Sequence, residues 1–157
     1  MNILGISAGF HDAAVTLIKG DDIVFAGHAE RYSKIKHDAN LNSSLIADAL
    51  TYSTPDQIAY YERPWVKKTR QLYAGQYSEL TTPWTVRGML NRTVPEISHL
   101  PIKTYNHHLS HAAAGFQTSP FDSATVVVID AIGEWDTISI WSAEYVNGQA
   151  KYKKVWE

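Results

Sequence analysis

Ile3-Leu4-Gly5-Ile6-Ser7, the turn Ala8-Gly9-Phe10-His11-Asp12, and Ala13-Ala14-Val15-Thr16-Leu17-Ile18 form an apolar run, a break and a second apolar run. Each run is too short for an amphipathic helix and rich in β-branched residues, so both read as buried strands. Lys19-Gly20-Asp21-Asp22 follows as a tight turn, with Gly and Asp where positive φ costs little. Ile23–Ala29 is a third strand. Three strands joined by short turns predict an antiparallel meander.

Working outward, Leu41, Leu45, Ile46, Ala49 and Leu50 recur at helical spacing and predict a helix over 41–52. Asp56–Tyr61 reads as a strand feeding the sheet. The aromatic and basic segment Pro64–Thr93 reads as two helices broken near Pro83, and Lys103–Asn106 as a short strand. His107–Gln117 is a small-residue helix, in which Ala112, Ala113 and Ala114 permit close packing. A second run of strands is expected at Ser123–Asp130, Thr137–Tyr145 and Ala150–Trp156, with Asn147-Gly148 as a strong hairpin signal.

With 157 residues, 45% apolar and 19% charged, the chain is globular and long enough for one domain with a core. Its net charge of −2 offers no basic excess to neutralise phosphates, so nucleic acid is not the expected partner. Without cysteine there is no disulfide, thiolate metal site or thiol nucleophile. No signal peptide or membrane span is evident at the N-terminus or elsewhere, and a cytoplasmic location fits. The sequence closes inside an apparent strand at Lys153-Lys154-Val155-Trp156-Glu157. That pattern reads as part of something larger, with a short final edge strand as the alternative.

Chemistry concentrates in His107-His108-Leu109-Ser110-His111. On a helix, His107 and His111 lie on one face about a turn apart and can share one metal ion. Neutral imidazole suits Fe, Zn, Cu or Ni, so spacing alone does not select the metal. A pair that caps the helix or satisfies core hydrogen bonds is the alternative. His108 points elsewhere and is read as a supporting or packing residue.

Four motifs in order carry a resemblance. Ile3–Ser7 with Phe10-His11-Asp12-Ala13-Ala14, Ala29-Glu30-Arg31-Tyr32-Ser33-Lys34 with Lys36-His37-Asp38, His107-His108-Leu109-Ser110-His111-Ala112, and Asp130-Ala131-Ile132-Gly133-Glu134-Trp135-Asp136-Thr137 span nearly the whole chain. Together they resemble the NodU/CmcH-type O-carbamoyltransferases, whose histidine motif is shared in part with TsaD-type tRNA-modifying proteins. The resemblance implies an α/β fold of the actin/Hsp70/sugar-kinase (ribonuclease H-like) type: a lobe with a mixed five-stranded sheet and flanking helices. Residues 1–157 would form a single N-terminal lobe, with the second lobe and a YrdC-like domain absent.

The resemblance also implies a reaction and roles. A carbamoyl group passes from carbamoyl-adenylate, made from carbamoyl phosphate and ATP, to a hydroxyl of a small-molecule acceptor. His107 and His111 would hold a divalent metal, usually iron, with zinc possible, and the family's further Asp ligand comes from the second lobe. His11 would act with Asp12 as the catalytic pair, His11 taking the hydroxyl proton and Asp12 orienting the imidazole or capping the turn. Asp130, Gly133, Glu134 and Thr137 would form a phosphate-binding turn for the nucleotide, with Lys36 from the charged loop as a further contact. An ordinary hairpin is the alternative for that turn, and Ala131 stands where the family usually has Gly. The cations and aromatics from Arg63-Pro64-Trp65-Val66-Lys67-Lys68 through Arg70, Tyr73, Tyr77 and Trp84 suggest an acceptor-binding or partner-binding insertion rather than a nucleic-acid platform. A second chain carrying the missing parts, or a homodimer, is the expected partner. Two rivals remain: a non-catalytic metal- or partner-binding remnant, and a tRNA threonylcarbamoylation-type subunit.

Overall fold

The computed structural model describes residues 1–77, 81, 85–131 and 133–157. Pro83, Trp84 and Ile132 lie outside them. The meander forms as expected: β1 (Asn2–Ser7), β2 (Ala14–Lys19) and β3 (Asp22–His28) pair antiparallel. The β2–β3 turn rests on Gly20, at φ 63°, where a side chain would be strained. A short helix α1 (Glu30–Ser33) follows, then α2 (Ser43–Tyr52), β4 (Gln57–Tyr60), α3 (Pro64–Tyr73), α4 (Val86–Thr93), a 3-10 turn (Pro95–Ile97) and β5 (Ile102–Thr104).

β4 joins β1 in parallel, with Ile6 opposite Tyr60, and β5 joins β4 in parallel. The first sheet therefore has five strands in the order β3-β2-β1-β4-β5 and is mixed. β1, β3, β4 and β5 all run in one direction, so the segments that follow them leave from one edge of the sheet. Side chains that alternate inward (Leu4 and Ile6 of β1, Val15 and Leu17 of β2, Ile58 of β4) pack against Leu45, Ile46 and Ala49 of α2 and Leu90 of α4. Asn42 starts α2: its Oδ1 accepts from the Ser44 and Leu45 N–H groups at 2.8 and 3.3 Å.

From β5 the chain enters α5 (His107–Gln117) and then β6 (Ser123–Ile129), β7 (Ile138–Val146) and β8 (Gln149–Trp156). These three strands form a second antiparallel meander. Its β7–β8 turn has Asn147 at φ 53° and Gly148 at φ 74°, the two left-handed residues that suit the twist of a tight hairpin. α5 covers one face of this sheet, where Ala112 and Leu109 meet Val126, Val128, Trp141 and Tyr152. The alternating residues Val127 and Ile129 face away from α5 and are exposed.

Asn42→Ala removes the acceptor for two orphan N–H groups of α2. It is expected to lower the unfolding free energy by about 1 kcal/mol, with the urea m-value unchanged, in chemical denaturation followed by circular dichroism.

Candidate functional site

The site is assembled where the parallel strands end. Asn106, just beyond β5, caps α5 by accepting from the Leu109 N–H at 2.9 Å. One helical turn then stacks His107 and His111, whose Nε2 atoms lie 3.0 Å apart. β6 runs back along α5, so the residue that follows it returns to the level of the helix start. That residue is Asp130, whose Oδ2 lies 2.9 Å from His107 Nε2 and 3.8 Å from His111 Nε2. Sequence reasoning puts Asp130 in a phosphate turn, whereas the structure brings its carboxylate to the histidines.

Ligand atoms of His107, His111 and Asp130 all fall within 4.8 Å of one another. A tetrahedral ion with donors at ~2.0–2.2 Å would hold those donors about 3.3 Å apart. The observed spacings bracket that value, so two imidazoles and a carboxylate fit a divalent transition metal.

Glu62, which follows β4, completes the electrostatics and carries no sequence signal of its own. It is buried, its Oε1 takes the Lys67 ammonium at 2.9 Å, and its Oε2 lies 3.5 Å from His107 Nδ1. Burial opposes the Glu62 charge, but His107 and Lys67 outweigh it and hold the carboxyl below its ordinary value. Burial likewise disfavours a charged His107, yet the carboxylates of Glu62 and Asp130 raise its pKa above the ordinary imidazole value. For His111 burial dominates, the neighbouring His107 adds to it, and the pKa falls. Of the metal-free pair, His107 is therefore the more readily protonated.

His108 is buried against the second sheet, as its packing role predicts. Its Nδ1 meets Ser139 Oγ at 2.7 Å, and the same oxygen accepts from Trp141 Nε1 at 2.8 Å. Gly133 sits directly over this ring: a Cβ there would come within 2.7 Å of His108 Cδ2. The glycine thus permits a close approach rather than a left-handed turn, since neither Ala131 nor Gly133 has positive φ.

The Asp130–Thr137 segment is a hairpin between β6 and β7. Asp130 N–H donates to the Thr137 carbonyl at 2.8 Å, Gly133 N–H to the Asp136 carbonyl at 2.9 Å, and Ala131 N–H to Asp130 Oδ1 at 2.7 Å. Those N–H groups are engaged within the hairpin. Glu134 is buried and accepts from the Arg63 backbone N–H at 2.7 Å, from the Arg63 guanidinium in a two-pronged pair, and from Asn106 Nδ2 at 3.2 Å. Thr137 and Lys36 are exposed. Arg63, just before α3, is paired with Glu134, and Lys67 and Lys68 of α3 are buried.

On the same sheet edge, the turn after β1 carries His11 and Asp12. Asp12 accepts from His11 Nδ1 at 2.9 Å through Oδ2 and from His37 Nδ1 at 3.0 Å through Oδ1. Because a carboxylate only accepts, each ring presents a hydrogen at Nδ1 and turns Nε2 away from Asp12. The His37 and His11 bonds outweigh burial and hold Asp12 below the usual carboxylate range. Asp12 and His37 adopt φ of 46° and 57°, a strained backbone for residues with side chains. Sequence reasoning pairs His11 with Asp12 but has no signal that His37, 25 residues away, closes onto the same carboxylate.

Comparison with known proteins bears on this arrangement. The family described as carbamoyltransferase N-terminus matches residues 2–79 and 65–154. The chain belongs to this family. Within the curated relatives, the uncharacterized protein sll1178 of Synechocystis is 34% identical over 168 residues, covering 91% of this chain and 27% of its own length. The nodulation protein NolNO of Sinorhizobium fredii is 31% identical over 137 residues, covering 80% of this chain and 20% of its own length. The carbamoyltransferase-family chain thus spans about a quarter of the length of these relatives. Among solved structures, YeaZ from Pseudomonas aeruginosa superposes with a TM-score of 0.52 at 11% identity, over 98% of this chain and 66% of that one. The carbamoyltransferase N-terminal chain has the α/β actin/Hsp70/sugar-kinase-like lobe, with its mixed five-stranded sheet and helices. Among the described residues no helix is long and apolar enough to cross a membrane.

Glu62→Gln removes one of the two charges that raise the His107 pKa. In the metal-free chain, the imidazole C–H resonance of His107 is expected to titrate above ~6.5 and that of His111 below it. The variant moves the His107 midpoint downward, read by NMR between pH 5 and 9. The linked stability has a definite sign. A raised folded pKa gives stabilisation that is full below ~6.5 and fades as pH rises through the folded value.

Proposed function

We propose that this chain is the acceptor-side part of a carbamoyltransferase, transferring a carbamoyl group from carbamoyl-adenylate to a hydroxyl of a small molecule. The observation that carries the reading is the convergence of His107, His111 and Asp130 at the sheet edge that also bears the His11–Asp12 pair, in a chain of the carbamoyltransferase family. In this proposal His11 Nε2 removes the acceptor proton as the hydroxyl oxygen bonds to the carbamoyl carbon and AMP departs with the carbon–oxygen bonding pair. Asp12 keeps the His11 ring oriented and stabilises the imidazolium that results. His107, His111 and Asp130 would hold a divalent metal, iron or zinc, which supplies Lewis-acid polarisation of an oxygen when bound. Glu62 orients His107 from behind, as carboxylates commonly do for ligating imidazoles.

Activation of carbamoyl phosphate with ATP, and the rest of the nucleotide site, are assigned to the remaining family domains, carried by a second polypeptide or by a longer form of this one. Lys36 and the exposed Thr137 hydroxyl are the proposed contacts with phosphate from this side. A non-catalytic metal- or partner-binding module is the second reading, favoured by one observation: Glu134 and the Gly133 and Ala131 N–H groups are already engaged within the protein.

Anaerobically purified chain is expected to carry close to one metal equivalent, lost in His107→Ala, His111→Ala and Asp130→Ala. Metal-free wild-type chain would withdraw the metal assignment. When supplemented with a polypeptide bearing the remaining family domains, carbamoyl phosphate and ATP, the wild type is expected to carbamoylate a hydroxyl acceptor. His11→Asn is expected to lower kcat by about 10²–10⁴-fold with metal content unchanged. Turnover unaffected by His11→Asn overturns the base assignment, and metal binding without any turnover selects the module.

A further inference from the structure

The turn that carries His11 is sewn to the loop that carries His37. Gly9 N–H donates to the Ala39 carbonyl and Ala13 N–H to the Asp38 carbonyl, each at 2.7 Å. These two bonds flank the His11–Asp12 pair in the chain, so the segments keep a fixed separation. The second loop is anchored in turn: buried Asp38 accepts from the Asn40 N–H at 2.9 Å, and Glu30 Oε2 accepts from the His37 N–H at 3.3 Å. Asp12 and His37 both lie in the left-handed region, at φ 46° and 57°. Asp and His enter it more readily than most residues, and such backbone persists where its surroundings over-determine it. Their side chains meet across the junction.

Neither imidazole is held by burial, since both side chains are 64% exposed. The Phe10 ring, 5.0 Å from that of His11 between centroids, is itself exposed. Orientation therefore comes from hydrogen bonding, and Asp12 supplies it through separate oxygens. Oδ2 accepts from His11 Nδ1 at 2.9 Å and Oδ1 from His37 Nδ1 at 3.0 Å. A carboxylate gripped at one oxygen can still turn about its bond to the β-carbon and offer either oxygen to its partner. One gripped at both has a fixed plane. Of the two bonds, that from His37 contributes more to keeping Asp12 ionised.

We propose that His37 is a positioning residue for the base: by holding Asp12 Oδ1 it fixes the carboxylate whose Oδ2 keeps His11 in the Nδ1–H form. Which imidazole nitrogen carries the hydrogen is set by the acceptor it meets. In the neutral His11 ring, a fixed Oδ2 leaves the lone pair on Nε2 for the acceptor hydroxyl. His37 needs no contact with substrate for this, only an N–H at the place of its Nδ1. The base role rests on the carbamoyl-transfer reading, whereas the control of His11 by His37 does not.

The test uses His37→Gly, which removes the donor, and His37→Asn, whose side-chain amide puts an N–H close to the place of Nδ1. Both replacements tolerate positive φ. Nitrogen–proton correlation spectra at about pH 8, where an ordinary imidazole is neutral, report which His11 nitrogen carries the hydrogen. Wild type is expected to show the Nδ1–H form, His37→Gly a mixture with the Nε2–H form, and His37→Asn mostly the Nδ1–H form again. In the supplemented transfer assay His37→Gly is expected to lower kcat about tenfold with KM and metal content unchanged, and His37→Asn to recover most of the loss. In a His11→Asn background, His37→Gly is expected to have no further effect, because it acts through His11. An unmoved His11 tautomer in His37→Gly, or an equal loss of kcat in the His11→Asn background, overturns the proposal. A shifted tautomer in a chain that supports no transfer would keep the control of His11 by His37 and remove the carbamoyl-transfer reading. Transfer with the tautomer unmoved would do the reverse.

Discussion

The parallel pairing of β4 with β1, and of β5 with β4, decides where the chemistry of this chain can be. An antiparallel neighbour would send its following segment to the far edge of the sheet. Here the turn after β1, the Glu62 segment after β4 and the Asn106–His107 start of α5 after β5 all leave from one edge. The loop bearing His37 joins them, because β3 runs in the same direction as β1. Open α/β sheets place ligands outside the carboxyl ends of their strands for this reason. Side chains there escape the packing that fixes residues within the strands, and three neighbouring segments can converge on one molecule.

Holding the second sheet against that edge requires burying charge, and Glu134 is the price. Its carboxylate sits out of water but accepts from Arg63, which follows β4, and from Asn106, which caps α5. A buried carboxylate is tolerable only when its partners are all in place. The β6–β7 hairpin, the helix cap and the segment after β4 are therefore fixed together, and Asp130 arrives beside His107 as a consequence. His108 and Gly133 reinforce the same junction from the apolar side, where the absence of a Cβ lets the hairpin lie on the imidazole ring.

This division explains what could be read from sequence. The meander, α2 and α5 are local: short apolar runs, helical periodicity and the Asn147-Gly148 turn each specify their own geometry. The His107–His111 pair is legible because four residues on a helix make one turn. Long-range partners carry no such signature. Asp130 looks like part of a glycine turn because nothing in its neighbours says that β6 folds back along α5. Glu62 follows two tyrosines in an otherwise ordinary strand end, and only the parallel register places it behind His107. Nothing around Lys67 in the sequence says that it is buried, whereas the carboxylate of Glu62 draws it inward.

The same contacts link the two ends of the site without an extended network. Lys67 Nζ lies over the Phe10 ring at 4.9 Å and bonds Glu62 at 2.9 Å, and Glu62 reaches His107 at 3.5 Å. The residue next to His11 is thus two side chains away from a candidate metal ligand. Each step joins groups whose charge or quadrupole is complementary, and the Lys67–Glu62 pair lies where burial strengthens such attractions, whereas Phe10 is exposed. Lys67 is one of three groups, with His107 and Tyr61, that favour the ionised Glu62, and the Glu62 carboxylate in turn raises the pKa of His107. The position of a cation on α3 is therefore coupled to the protonation of an imidazole on α5.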